Sequence, residues 1–207
     1  ERNVHFPESA MDTIYSGPHI GVANPIFQTS QWNCNTHRAF DYVDLLNLDK
    51  EYFQRINYSP MCDMITYSSK IPMTSWGIPY HLNYKILSRK MLNLSGERSL
   101  ISCIAPPETM HTNGILGLVI GDLRLVSLIA GLFASVPYDF FIKVMGRQNL
   151  YEDNAGKLPI PKSKFDNAII LRTLLLNCLT RQYTQIWEKE WSNTFIDDQW
   201  AKKDNRL

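Results

Sequence analysis

Over residues 1–79 no apolar helical period lasts beyond two turns, and Pro7, Pro18, Pro25, Pro60, Pro72 and Pro79 punctuate short runs. This half reads as short strands and loops, with 20–23 and 64–67 as candidate strands and a helical turn over 49–55. From Tyr80 the pattern sharpens. Tyr80, Tyr84, Leu87, Met91 and Leu94 recur at three- and four-residue intervals, which predicts an amphipathic helix closed by Ser95-Gly96. A more continuous apolar run over 98–105 predicts a strand covered on both faces, stopped by Pro106-Pro107, and His111-Thr-Asn-Gly114 is a turn before a second strand over 115–120. Gly121-Asp122 opens a helix through Leu123, Val126, Ile129, Ala130 and Phe133. Ser135-Val-Pro137 ends it and starts another, which carries Tyr138, Phe140, Phe141 and Lys143 up to Gly146. Those three aromatics read as core against the preceding helix rather than as base-stacking residues. After the brace Leu158-Pro-Ile-Pro161, Ser163 and Asp166 stand at N-cap and N3 spacing, so a long helix should start at about Lys164. Run to Trp191 it would measure on the order of 40 Å. Leu171, Leu175, Leu179, Tyr183, Ile186 and Trp187 line one side, widened by Leu174, Cys178 and Trp191.

A chain of 207 residues, 44% hydrophobic, can bury a real core. The predicted class is a mixed α/β (α+β) fold, with a globular domain over 1–157 and a proline-braced long helix and tail over 158–207. One domain can hardly cover the whole apolar side of that helix. Part of it is expected to pack on a second helix, from another domain of a parent chain or by self-association. Lysine and arginine total 21 against 20 acidic residues, so the net charge of +1 gives no global pull on a polyanion and any such site must be a local patch. Cys34, Cys62, Cys103 and Cys178 follow no repeated spacing, two of them in apolar runs, which favours reduced thiols and a cytosolic compartment. The most apolar run, 123–133, is too short to span a bilayer and carries Arg124. The start at Glu1 and the charged 201–207 end read as those of a fragment cut from a longer polypeptide.

Most catalytic constellations are refused. Cys34-Asn-Thr-His37 has metal-like spacing but no second paired motif to complete a zinc site. Asn24-Pro25-Ile26-Phe27 lacks the second proline and the tyrosine of an amino-methyltransferase loop, and no glycine-rich turn precedes it to hold a cofactor. No nucleophile elbow, phosphate-binding glycine loop or nuclease-type acidic pair is present. What remains is polar. On the predicted helix His81, Lys85 and Arg89 form one stripe with Lys90 beside it, either a solvated face or a row of phosphate contacts. Around the Gly146 turn, Lys143, Arg147, Gln148 and Asn149 combine cations with amides. That set suits base edges as well as backbone, and is favoured over a loop that merely closes a helix.

The order of Phe140-Phe141-Ile-Lys143, Gly146-x-x-Asn149-Leu150, Leu158-Pro-Ile-Pro161 and a long helix resembles the end of a target recognition domain in type I restriction specificity subunits. Gly17-Pro-His-Ile-Gly-Val-Ala-Asn-Pro25, Arg55-Ile-Asn-Tyr58, Glu97-Arg-Ser-Leu-Ile101 with Pro106-Pro107, and 174–187, taken in that order, carry a closer resemblance, over nearly the whole chain, to the C-terminal part of type IIG-like fused restriction-modification methyltransferases and their phage-defence relatives. Position 147 departs from the specificity subunits, with Arg where a small hydroxyl residue is common. The resemblance implies a non-catalytic module that reads double-stranded DNA for a prokaryotic, cytoplasmic enzyme. The methyltransferase domain and its S-adenosylmethionine would lie elsewhere in the parent chain, with no cofactor in this part. Its DNA-contacting residues would be Lys85, Arg89, Lys143, Arg147, Gln148 and Asn149. The rival expectation is a protein-interaction module whose working surface is the long C-terminal helix.

Overall fold

A computed structural model describes residues 4–36 and 38–196, so His37 and the 197–207 tail lie outside the described residues. In chain order the strands are β1 (Ile14–Tyr15), β2 (Gln28–Ser30), β3 (Phe40–Tyr42), β4 (Lys85–Arg89), β5 (Ser102–Ala105), β6 (Met110–His111) and β7 (Ile115–Val119). The α-helices are α1 (Met64–Ser69), α2 (Leu123–Ala134), α3 (Val136–Met145), α4 (Glu152–Ala155), α5 (Asp166–Asn177) and α6 (Thr184–Glu190). This is an α+β fold, as the sequence predicts.

The central sheet has three strands, with β4 between antiparallel β5 and β7 and Leu87 opposite both Cys103 and Gly117. Side chains alternate across β4. Ile86 joins Ile104 and Leu116 in the main core, where they meet Val126, Ile129 and Phe133 of α2. Leu87 joins Cys103, Ala105 and Ile115 in a second cluster covered by Tyr15 and Ile20 from the N-terminal half. Helix α5 packs closely on α2 because Gly131 leaves room: a Cβ there would lie 2.3 Å from Thr173 Oγ1. The outer edge of β5, which has no neighbouring strand, is closed by side chains, with Asn177 Oδ1 accepting from Ile104 N–H at 2.9 Å and Tyr183 Oη donating to Ile104 O at 2.8 Å. An edge strand paired in this way is withdrawn from intermolecular pairing.

Several elements differ from the sequence expectations. The predicted helix from Tyr80 is a 3-10 turn at Tyr80–Leu82 followed by strand β4. Lys-Ile-Leu-Ser-Arg is buried on both faces between two neighbouring strands, and that packing overrides a three-four spacing of apolar residues. The single long helix is instead two, α5 and α6. At Cys178 the backbone leaves helical geometry (φ −103°, ψ 69°), while Asn177 turns its amide to Ile104 N–H and Thr173 O. The chain then restarts through the 3-10 turn Arg181–Tyr183, and Trp187 Nε1 donates back to Cys178 O at 2.8 Å, folding the break closed. Ile170, Leu174, Cys178, Tyr183 and Ile186 belong to the same core as the sheet, so this segment packs into the globular body.

The candidate strand over 64–67 is the start of α1, capped by Asp63, whose carboxylate accepts from Thr66 N–H at 2.9 Å. Residues 20–23 form a bridge and turn, and 49–55 hold only a turn closed by Tyr52 N–H to Asp49 O. The strands at β5 and β7 and the helices α2 and α3 fall where the pattern places them, with Asp122 capping α2 through Arg124 N–H. Ser163 accepts from Phe165 N–H, and α5 begins at Asp166. No single helix among the described residues is long and apolar enough to cross a membrane.

Candidate nucleic-acid interface

Helix α3 ends because Gly146 adopts φ 65°, a left-handed conformation that costs a side-chain-bearing residue about 1–2 kcal/mol. The chain then reverses onto the segment that follows β4. Leu92 N–H donates to Gln148 O at 2.9 Å and Leu150 N–H to Lys90 O at 2.7 Å, with Asn149 bridged to Met91, and Leu150 is fully buried beneath. The backbone of this turn is therefore fixed while its side chains face outward. Arg147 and Gln148 are exposed and Asn149 is half-buried. With Tyr151, Asp153 and Asn154 they line an open hollow of about 410 Å³. Arg147 has no side-chain partner among the described residues. Asn154 holds the base of the hollow, donating to Asn149 O at 3.3 Å, while its own Oδ1 is buried without a partner.

The three other predicted contact residues are placed elsewhere. Lys85 is fully buried in β4, its ammonium donating to His81 O at 3.0 Å, Asn83 O at 2.8 Å and Pro106 O at 3.2 Å. Burial pulls its pKa down to about 7, yet three carbonyl oxygens converging on Nζ favour the charged form. Arg89 donates from Nε and Nη2 to Ile20 O, tying the N-terminal half to the sheet. The expectation of a cationic helix stripe is thus corrected: in a strand, Lys85 and Arg89 face inward toward the second core cluster, where backbone carbonyls take up their donors. Lys143 Nζ donates to Gly96 O at 2.9 Å and Glu97 O at 2.8 Å and pairs with Asp139 at 3.3 Å. It helps fasten the 93–100 loop to α3.

Asp139 is the centre of that fastening. Burial disfavours its charge, but Leu100 and Ser99 N–H groups, both at 2.7 Å, with Lys143 and Arg98 beside them, more than offset this and hold its pKa below the usual carboxylate value. Arg98 also donates to Ala134 O at 2.7 Å. The Glu97-Arg-Ser-Leu segment is therefore an anchor for the α2–α3 junction. The Gly17-Pro-His segment is likewise structural. His19 is buried, Ser16 N–H donates to its Nδ1 at 3.0 Å, and Nε2 therefore carries the proton toward Arg55 O at 3.2 Å. Burial lowers its pKa to about 4, so it is neutral.

In place of the stripe, the fold brings Lys90 to the turn. Its carbonyl accepts from Leu150 N–H, its Nζ lies 5.6 Å from the Tyr151 ring centroid, and it donates to Asn113 Oδ1 at 2.9 Å. Beyond it opens a second cleft of about 330 Å³ that sequence reasoning missed. Tyr80 and His111 meet there at 2.8 Å, directly over Gly117, where a Cβ would lie 2.0 Å from the tyrosine oxygen. Only the small residue in an otherwise branched strand, Ile-Leu-Gly-Leu-Val, could have signalled this close approach. Tyr138 is buried as expected, but Phe140 and Phe141 are exposed, because the α3 face that meets α2 is the one carrying Tyr138 and Ile142. Among the described residues no group of three or more His, Cys, Asp or Glu side chains could hold a metal ion.

Comparison with known proteins finds no matching family, no matching curated protein and no matching solved structure.

Proposed function

We propose that this chain is a sequence-specific double-stranded DNA recognition module of a prokaryotic, cytoplasmic restriction-modification or phage-defence methyltransferase. Methyl transfer and S-adenosylmethionine binding would belong to another part of the parent polypeptide. The motif order supports the family, and one observation carries the reading: the turn after α3 combines a fixed backbone with outward Arg147 and Gln148 beside Asn149 and Lys90. Arginine pairs bidentately with guanine and glutamine or asparagine with adenine, and such contacts set specificity with little net charge. Glu152 and Asp153 adjoin the turn, so a broad phosphate-binding field is not the main attraction. Selection of duplexes from a randomised pool by the purified chain tests this. Enrichment of a defined site supports the reading, and recovery of the unselected pool after several rounds refutes it.

A second reading, a protein-docking module, is favoured by a different surface from the one predicted. On α3 the residues Val136, Phe140 and Val144 are spaced by four and each more than 60% exposed, and Phe141 widens the stripe. The occupant that best fits the first reading is the methyltransferase domain of the parent chain, which would position the turn against DNA. Leu175, Leu176 and Leu179 are also exposed beside the α5 break, a smaller patch than the long helix face anticipated.

A further inference from the structure

The β2–β3 hairpin carries the chemistry from which a second DNA contact can be inferred. Its loop over 31–39 offers, among the described residues, amides, a tryptophan and an arginine and no acidic side chain, while Asp41 of β3 is taken up by Gln31 Nε2 at 2.8 Å and by Arg55 at 3.4 Å. The loop is fastened from within. Gln31 N–H donates to Ala39 O at 3.0 Å and Ala39 N–H to Thr36 O at 3.2 Å, and the buried Cys34 thiol lies 3.6 Å from both Thr36 O and the Asn57 amide nitrogen. Trp32, Asn33 and Arg38 are exposed. The Trp32 ring is 61% exposed but oriented: it meets Phe6 edge-on at 5.7 Å, and the Arg55 guanidinium lies 5.2 Å from its centroid. Arg55 is itself fixed by a 2.8 Å bond from Nε to Ser30 O. A large ring held by Phe6 and Arg55 that stays mostly exposed is pre-organised for stacking, and loses little conformational freedom when it binds.

We propose that this loop is a second DNA-contacting element, in which Trp32 stacks at a base step and Asn33 and Arg38 reach the adjacent base edges or phosphates. The proposal rests on the DNA-recognition reading. A purely structural role for the same residues would be a staple in which Trp32, Phe6 and Arg55 hold the N-terminal segment to the hairpin. Asn33 and Arg38 have no place in that staple, which separates the two roles. The test uses the whole chain, the duplex enriched from the randomised pool and a scrambled duplex, with Trp32→Ala, Trp32→Phe and the double variant Asn33→Ala/Arg38→Ala. Expected are an affinity loss of about five-fold or more for Trp32→Ala and for the double variant, near wild-type binding for Trp32→Phe, and unchanged melting of the double variant. If the wild-type chain binds the enriched duplex but the double variant binds equally well, the loop proposal is overturned and the broader reading stands. If the wild-type chain does not distinguish the two duplexes, both fall together.

Discussion

Lys85 and Arg147 are both cations, and their surroundings give them opposite work. Lys85 joins two chain segments at one point by donating from a fully buried position to His81 O, Asn83 O and Pro106 O, and Lys85→Met leaves Asn83 O without its donor, while His81 O keeps Glu108 N–H and Pro106 O keeps the Thr109 hydroxyl. Each unsatisfied buried group costs about 1–3 kcal/mol, and a loss of that order in denaturant unfolding is expected. The salt dependence of duplex binding should stay as in the wild type; a shallower slope with unchanged stability would restore Lys85 as a phosphate contact. His19 bears on pH. Its pKa falls from 6.5 in the unfolded chain to about 4 in the fold, so between those values the unfolded chain binds the extra proton. Its contribution to stability is complete above pH 6.5, is lost as pH falls toward 4, and amounts at most to about 3 kcal/mol. Carboxylates with lowered pKa, such as Asp139, lose theirs at lower pH, which leaves the upper window to histidine. Denaturant midpoints for the wild type and His19→Gln from pH 7 to 4.5 check this, and an equal fall in both chains would contradict it.

Among the elements, those whose pattern was legible are the ones whose ends carry local chemistry. Asp122 opens α2, Pro137 sits in the first turn of α3 and Gly146 stops it, and each acts within a few residues of its own position. Strand β4 and the α5–α6 break were not legible, because both are decided at long range. Lys85–Arg89 becomes a strand by acquiring two partners at 102–105 and 115–119, and α5 stops where Asn177 finds an N–H group on β5. The site followed the same division. Arg147 and Gln148 follow the locally coded Gly146 stop and keep the exposure expected of them, Asn149 beside them is half-buried, and Lys85 and Arg89 lost theirs with the helix. Lys90 and the Tyr80–His111 cleft depend on which strands pair, which no local spacing records. The close approach of α2 and α5 is also long-range, and it can be tested through Gly131. A Cβ there would lie 2.3 Å from Thr173 Oγ1 and 2.6 Å from Ile169 Cγ2, so Gly131→Ala should force the helices apart. Overpacking of this kind costs about 1–3 kcal/mol, read as a lowered thermal midpoint, and an unchanged or raised midpoint would contradict the packing described.

At the scale of the whole molecule, the N-terminal half and the C-terminal helices are fastened to opposite faces of one small sheet, the first through Tyr15 and Ile20, the second through α2 and α5. The turn after α3 and the β2–β3 loop are therefore carried by a shared core. If the turn after α3 reads DNA, as proposed, Arg147→Ala with Gln148→Ala removes its two exposed reading side chains. Both side chains are exposed, so the double variant should melt within about 0.5 kcal/mol of the wild type. Loss of one bidentate base contact would remove about 1–3 kcal/mol of discrimination, or roughly 5- to 150-fold. The measurement is affinity for the enriched and scrambled duplexes at two salt concentrations, with melting recorded in parallel. The expected result is a collapsed ratio between the two duplexes in a normally folded variant. A double variant that melts normally and distinguishes the duplexes as the wild type does would show that this turn is not the reading element.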